Sequence, residues 1–180
     1  QEKNQLRKKV QLVLQDPYLS LPAWMKVGNI VGDPLNIHEK KTLTKSEKRD
    51  KILNILSEVG LEESAFERYP LTFSAGQRQM INIARAIILN PEIVILDEAV
   101  SALDVSVQAS ILNLFADLRE RRKLTYLLIA HDIGVVRQVN THQPHRADQR
   151  VEEYLEHSDH PLPRPPTSHE LTDVATPLTH

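Results

Sequence analysis

The chain has 180 residues, with 22 Lys+Arg against 24 Asp+Glu, eight His, eleven Pro, five Gly and no Cys. A length of this order holds one domain or one and part of another, and 41% hydrophobic residues suffice for a packed core. The lack of cysteine excludes disulfides, Cys-ligated zinc and thiolate catalysis, a net charge of −2 gives no bulk attraction for nucleic acid, and no apolar run reaches the roughly 18–20 residues of a membrane helix.

The first nine residues hold no starting Met, which suggests a cut chain, and no apolar stretch of a signal peptide. Lys9–Leu14 (KVQLVL) reads as a short buried strand stopped by Gln15-Asp16-Pro17. A Pro- and Gly-punctuated helical region follows. Thr44 to Glu47 spells a capping box, after which Ile52, Leu56 and Val59 share one helix face until Gly60 ends it. A second helix starts at Ser74, with Gln77 reaching back; it carries Met80, Ile83, Ala84 and Ile87 on one side and stops before Pro91.

Glu92–Leu96 (EIVIL) reads as a strand buried on both faces of a parallel sheet. Asp104 is placed to cap a third helix with the stripe Val107, Ile111, Leu114, Leu118. Leu124–Ala130 (LTYLLIA) is the next strand and runs into His131-Asp132. Strand, helix, strand in that order gives a parallel βαβ unit with a right-handed crossover, and such sheets carry function at the carboxyl ends of their strands. From Asn140 onward the period is lost: residues 140–180 hold three Lys+Arg, seven acids, six His, six Pro and no Gly. This stretch reads as a low-order tail. The abrupt change suggests a shifted reading frame or an equivalent replacement near residues 139–141.

Gln15, the pair Asp97-Glu98 and His131 each follow an apolar strand. Singly, an acid there caps the next helix, and a lone His or Gln is an ordinary surface group. Together on adjacent strands they would converge on one crevice suited to a metal–phosphate site. The His142/His145 and His157/His160 pairs have ligand-like spacing, but without a helix beneath them they do not make a metal site.

At these residues the sequence resembles a family. Ile93–Asp104 (IVILDEAVSALD) is similar to the Walker B motif and D-loop of ABC-type ATPases, and Phe73–Gln79 (FSAGQRQ) to their signature motif. Gln15 falls at the Q-loop position and His131 at the switch-histidine position. The wording QDPYLSL, VGNIVGDPLNIH and SALDVSVQASILNL is similar to the oligopeptide/dipeptide-importer ATP-binding subunits. The resemblance runs from Lys9 to about Val139.

It implies an α/β fold, a partial P-loop NTPase nucleotide-binding domain of ABC type with a helical subdomain. Residues 1–16 would be a residual core strand with the Q-loop, 17–90 the helical subdomain with the signature, 91–139 the RecA-like core, and 140–180 the tail. ATP and Mg²⁺ are the implied cofactors. Asp97 would hold Mg²⁺ through water, Glu98 would orient and deprotonate the attacking water, and His131 would donate to the γ-phosphate. Gln15 would sense Mg²⁺ and that water. Ser74, Gly76 and Gln77 would meet the γ-phosphate of ATP on the opposite subunit, and Ser101 to Asp104 would cross the same seam.

The sequence also departs from the family. No GxxxxGK[ST] occurs, so the phosphate-cradling loop and its lysine are absent from these 180 residues. Ala75 stands for the signature's first glycine, Phe73 for its leucine and Ala99 for the usual proline. The expected role is the ATP-hydrolysing subunit of a peptide importer, present as a piece inactive alone. The alternatives are a non-catalytic remnant or interaction module, or a non-transport ABC ATPase of DNA repair or translation. Implied partners are a second ABC ATPase subunit, transmembrane permease subunits and, indirectly, a substrate-binding protein, on the cytoplasmic face of the membrane. Tyr18, Leu19 and Trp24 are candidates for the groove that receives the permease, or else pack within the helical region.

Overall fold

The computed structural model describes residues 2–39 and 42–129. The tail expected at 140–180, its histidine pairs and His131 lie outside the described residues. In chain order the elements are α1 (Glu2–Lys9), β1 (Val10–Val13), α2 (Pro17–Ser20), α3 (Val27–His38), α4 (Lys45–Glu58), α5 (Ala75–Ile87), β2 (Ile93–Asp97), α6 (Val105–Arg122) and β3 (Thr125–Ile129), with 3₁₀ turns at Glu63–Glu67 and Pro70–Thr72.

The strands form one parallel sheet in the order β1-β2-β3. Val10 pairs with Ile93 and Val13 with Leu96; Ile93 pairs with Thr125 and Asp97 with Ile129. All three carboxyl ends therefore lie along one edge. Between β1 and β2 the chain makes a helical layer in which α3 packs on α4 and α5, while α5 itself packs on β1 and α6.

Local chemistry sets the ends of these helices. At the C-terminus of α4, Gly60 takes φ +84, where a side chain is strained. Its N–H donates to the Ser57 carbonyl and that of Leu61 to the Leu56 carbonyl, the paired bonds of a Schellman turn, with Leu56 and Leu61 both buried beneath it. The other end of α4, and the start of α5, are closed by capping boxes. Arg122, near the end of α6, holds Glu58 through two bonds of 2.7 and 2.5 Å and also reaches Asn90, fastening α4, α6 and the turn into β2 together. The Tyr126 ring rests on Phe115 with centroids 5.4 Å apart, and burial pushes its phenol well above the ordinary range.

One face of the sheet is packed and the other is open. Val13, Val94 and Leu96 are buried against a core that includes Ile83, Ile87, Ile111, Phe115 and Leu118. Each such side chain stabilises the fold by roughly 1.5–3 kcal/mol. On the opposite face Leu12 is 46% exposed, Ile93 37% and Leu127 54%. The expectation that β2 is buried on both faces is corrected here: its pattern alternates, with Val94 and Leu96 inside. The second face stays partly exposed at Leu12, Ile93 and Leu127, and a run of β-branched residues cannot by itself distinguish one-sided from two-sided burial. Two smaller corrections concern β1. Lys9 ends a helix instead of starting the strand, and Leu14 lies past its end.

Candidate functional site at the strand ends and the start of α5

The site is built from the carboxyl edge of the sheet. Asp97 is the last residue of β2 and alternation places it on the open face, beside Ile129 in register. Glu98 then turns the chain with φ +47, a left-handed conformation that costs a non-glycine residue of order 1 kcal/mol. Its N–H donates to the Ile129 carbonyl at 2.9 Å, so β3 still guides the backbone at this point. The following turn is anchored by Ala99 and Val100, which are 2% and 3% exposed.

Ser101 gathers the edge together. Its hydroxyl donates to the Glu98 carbonyl at 3.0 Å and lies 3.4 Å from Glu98 Oε2. The same hydroxyl oxygen accepts from Gln15 Nε2 at 3.2 Å. Gln15 and Glu98, 83 positions apart in the chain, are therefore joined by one serine. His131 comes two residues after the end of β3 and lies outside the described residues.

From Ser101 the chain runs to Asp104, the N-cap of α6. The Asp104 carboxylate accepts from the Ser106 hydroxyl at 2.7 Å and the Val107 N–H at 3.0 Å, and these bonds, Ser106 first, hold it below the usual carboxylate range. Val107 in turn meets α5. A methyl group on Gly76 would overlap Val107 Cγ1, so this glycine is what lets the two helix starts approach.

At the start of α5 the Gln77 N–H donates to Ser74 Oγ at 3.3 Å, and the Ser74 N–H to Gln77 Oε1 at 3.1 Å. Ser74, Ala75 and Gln77 are exposed, whereas Gly76 is buried. A helix leaves its first N–H groups without partners in the helix, so those of Ala75 and Gly76 add to the positive end of the dipole. Arg68 braces the approach, its guanidinium 4.2 Å from the centroid of the Phe73 ring and one of its nitrogens 2.9 Å from the Thr72 carbonyl.

The predicted residues thus fall into two groups. Gln15, Asp97 and Glu98 stand at the sheet edge; Ser74, Gly76, Gln77 and Asp104 stand at the neighbouring starts of α5 and α6. Residues 97 to 107 connect the two. Sequence reasoning missed Gln79, which is fully buried and donates to the Ala99 carbonyl at 2.7 Å. The available signal was a polar residue four positions before Ile83, on the side of α5 that faces the core.

The family profile that matches is the ABC transporter, over residues 1–101. The chain belongs to this family. Among curated relatives it is 46% identical, over 149 residues, to the dipeptide transport ATP-binding protein DppF of Haemophilus influenzae, covering 83% of this chain and 43% of that protein. It is 48% identical over 135 residues to the oligopeptide transport ATP-binding protein AppF of Bacillus subtilis, covering 75% of this chain and 40% of that protein. The chain thus spans about two fifths of the length of these ABC relatives. In structure it is similar to a post-hydrolysis state of the ATP-binding cassette MJ0796 bound to ADP and Pi, with a TM-score of 0.65 and 30% identity over 76% of this chain and 59% of that one. The ABC-type P-loop NTPase fold expected from the motifs is the fold observed.

Proposed function

We propose that this chain acts as part of an ATP-binding subunit of an ABC-type importer of dipeptides or oligopeptides. The observation that carries the reading is the hydrogen-bonded run Gln15–Ser101–Glu98 at the sheet edge. It brings distant motif residues together in a chain whose ABC relatives are peptide transport proteins.

The donors present fit Mg²⁺ as it accompanies phosphates. Asp97 supplies a carboxylate and Gln15 an amide oxygen, and no group of three metal-capable His, Cys, Asp or Glu side chains occurs among the described residues. Such a set suits a cation that keeps most of its shell as water and phosphate oxygen. When bound, Mg²⁺ would neutralise charge on the phosphates. Asp97 would orient that shell, Glu98 is placed to take a proton from water, and Ser101 holds Glu98 and Gln15 in register. The nucleotide fits less completely, because no backbone nest with a GxxxxGK[ST] lysine exists in the sequence. The start of α5 offers the other half of such a site. Exposed Ser74 and Gln77 and the free N–H groups beside them suit the γ-phosphate of an ATP carried by a second subunit.

Docking on permease subunits is supported at one position. Trp24 is 80% exposed, so it does not pack within the helical region, and an exposed tryptophan is a strong candidate anchor for a partner. The side chains of Tyr18 and Leu19 lie outside the described residues. No helix among the described residues is long and apolar enough to cross a membrane, in keeping with peripheral attachment through such a partner at the cytoplasmic face.

Sedimentation of the 180-residue chain mixed with a complete peptide-importer ATP-binding subunit tests this reading. A mixed dimer is expected with Mg-ATP and not without it, and the chain alone is expected to show no ATP turnover. Turnover by the chain alone that Glu98→Gln abolishes would show that these residues hold a complete site.

A further inference from the structure

Gln79 lies one turn into α5 and none of its side chain reaches solvent. Its Nε2 donates to the Ala99 carbonyl at 2.7 Å and stands 3.4 Å from the Leu14 carbonyl. Leu14 immediately precedes Gln15, and Ala99 immediately follows Glu98. On the far side of these residues Ser101 joins Gln15 to Glu98. The bonds close a ring: Gln79, Leu14–Gln15, Ser101, Glu98–Ala99 and back to Gln79.

Packing alone does not account for a glutamine in this place. Its Oε1 is buried with no hydrogen-bond partner among the described residues. A buried acceptor left unmade is unfavourable, whereas an apolar side chain of the same shape would carry no such cost. What the amide supplies is its donor, directed at the two backbone segments that carry Gln15 and Glu98. Glu98 occupies left-handed backbone, a conformation that persists only where the surroundings impose it.

We propose that Gln79 is a positioning residue: its buried amide sets the spacing of Gln15 and Glu98 and links that spacing to the helix that starts at Ser74–Gln77. The first half of this statement concerns geometry alone, and the second rests on the proposed function. Because α5 is a single helix capped only one turn before Gln79, a displacement of its start by an anion would move the Ala99 and Leu14 carbonyls with it.

The test begins with the free 180-residue chain and amide exchange measured by NMR in Gln79→Met, which keeps the shape and removes the donor. Exchange at the Glu98 and Ser101 N–H groups should rise about tenfold, while the Ile88 N–H, bonded to Ala84 within the same helical segment, keeps its rate. Gln79→Asn keeps an amide but is one methylene too short to reach both carbonyls. It should show the same local loosening, and it serves if the Met variant does not fold. Unchanged rates at Glu98 and Ser101, or equal acceleration at all three positions, would overturn the positioning role.

The second measurement follows the Gln15 side-chain amide resonance as Mg-ATP and a complete partner subunit are added. The resonance should shift on complex formation in the native chain, and the shift should shrink at least threefold in Gln79→Met although the complex still forms. An equal shift in both would overturn the link to α5. If the native chain forms no ATP-dependent complex, the proposed function fails and the link falls with it, while the exchange rates still decide the positioning role.

Discussion

Thr44–Glu47 at the start of α4 and Ser74–Gln77 at the start of α5 make the same reciprocal pair of bonds, yet they leave the two helix ends in different electrostatic states. In α4 the Glu47 carboxylate accepts from the Thr44 N–H at 2.7 Å and its hydroxyl at 2.8 Å, placing a full negative charge on the positive end of the dipole. In α5 a neutral amide does the same work at 3.1 Å, and the positive end keeps its potential. The second position of each helix differs as well: Ser46 is exposed, whereas Gly76 is pressed against Val107. A capping box that carries its own charge serves the helix alone. One built from uncharged groups, packed tightly behind and exposed in front, remains able to receive an anion from elsewhere.

The most severe challenge to this contrast is to give α5 the charge of α4. Gln77→Glu should weaken the ATP-dependent mixed dimer at least tenfold, about 1.4 kcal/mol, while the thermal midpoint stays the same or rises. Sedimentation and a thermal melt of the same sample read both quantities. A dimer of unchanged affinity would mean that the potential at α5 is not used.

Adding a methyl at the second helical position separates the two ends by packing. Gly76→Ala should lower stability by about 1–3 kcal/mol in urea unfolding, through overlap with Val107, whereas Ser46→Ala should stay within about 0.5 kcal/mol. Val107→Ala placed in the Gly76→Ala background should recover part of the loss. Removing the cap hydroxyls should instead treat the two helices alike. Thr44→Ala and Ser74→Ala are each expected to cost about 1 kcal/mol, and a large difference between them would show that one box carries more than its cap.

The smallest effect is one of pH. The Thr44 backbone and side-chain bonds hold the Glu47 carboxyl below its usual range. A depressed folded value means that its contribution is fully present above the ordinary carboxylate pKa, roughly 4.3, and fades as pH falls through the depressed one. NMR shifts of the Thr44 N–H should therefore move in acid, while those of the Ser74 N–H, bonded to an amide, stay constant over the same window.

Much of this was legible in the sequence, for identifiable reasons. Capping boxes and the Gly60 turn depend on residues within a few positions of one another, so Thr44, Glu47, Ser74, Gln77 and Gly60 announce their own geometry. The parallel order of β1, β2 and β3 followed from alternating strands and helices, and the meeting of Gln15 with Glu98 followed from that order. Helix α1 was not legible, because Glu2–Lys9 has no apolar stripe to set its period. The open sheet face was hidden for the opposite reason, since Ile93 and Ile95 look the same whether or not anything covers them. Ser101 as the link between Gln15 and Glu98, and Gln79 beneath them, are contacts over 86 and 20 positions. Only the folded chain could show these.

The proposed function requires the start of α5 to face a phosphate held by another subunit. The chain has no cysteine, so Ala75→Cys gives a single thiol at that exposed end. The direct measurement is its cross-linking to a cysteine placed in the GxxxxGK[ST] loop of a complete peptide-importer ATP-binding subunit. Cross-linking that requires Mg-ATP, is absent with ADP and is suppressed by Gln77→Glu is the result expected. A cross-link that forms equally without nucleotide, or none with ATP, would show that the start of α5 does not face that phosphate.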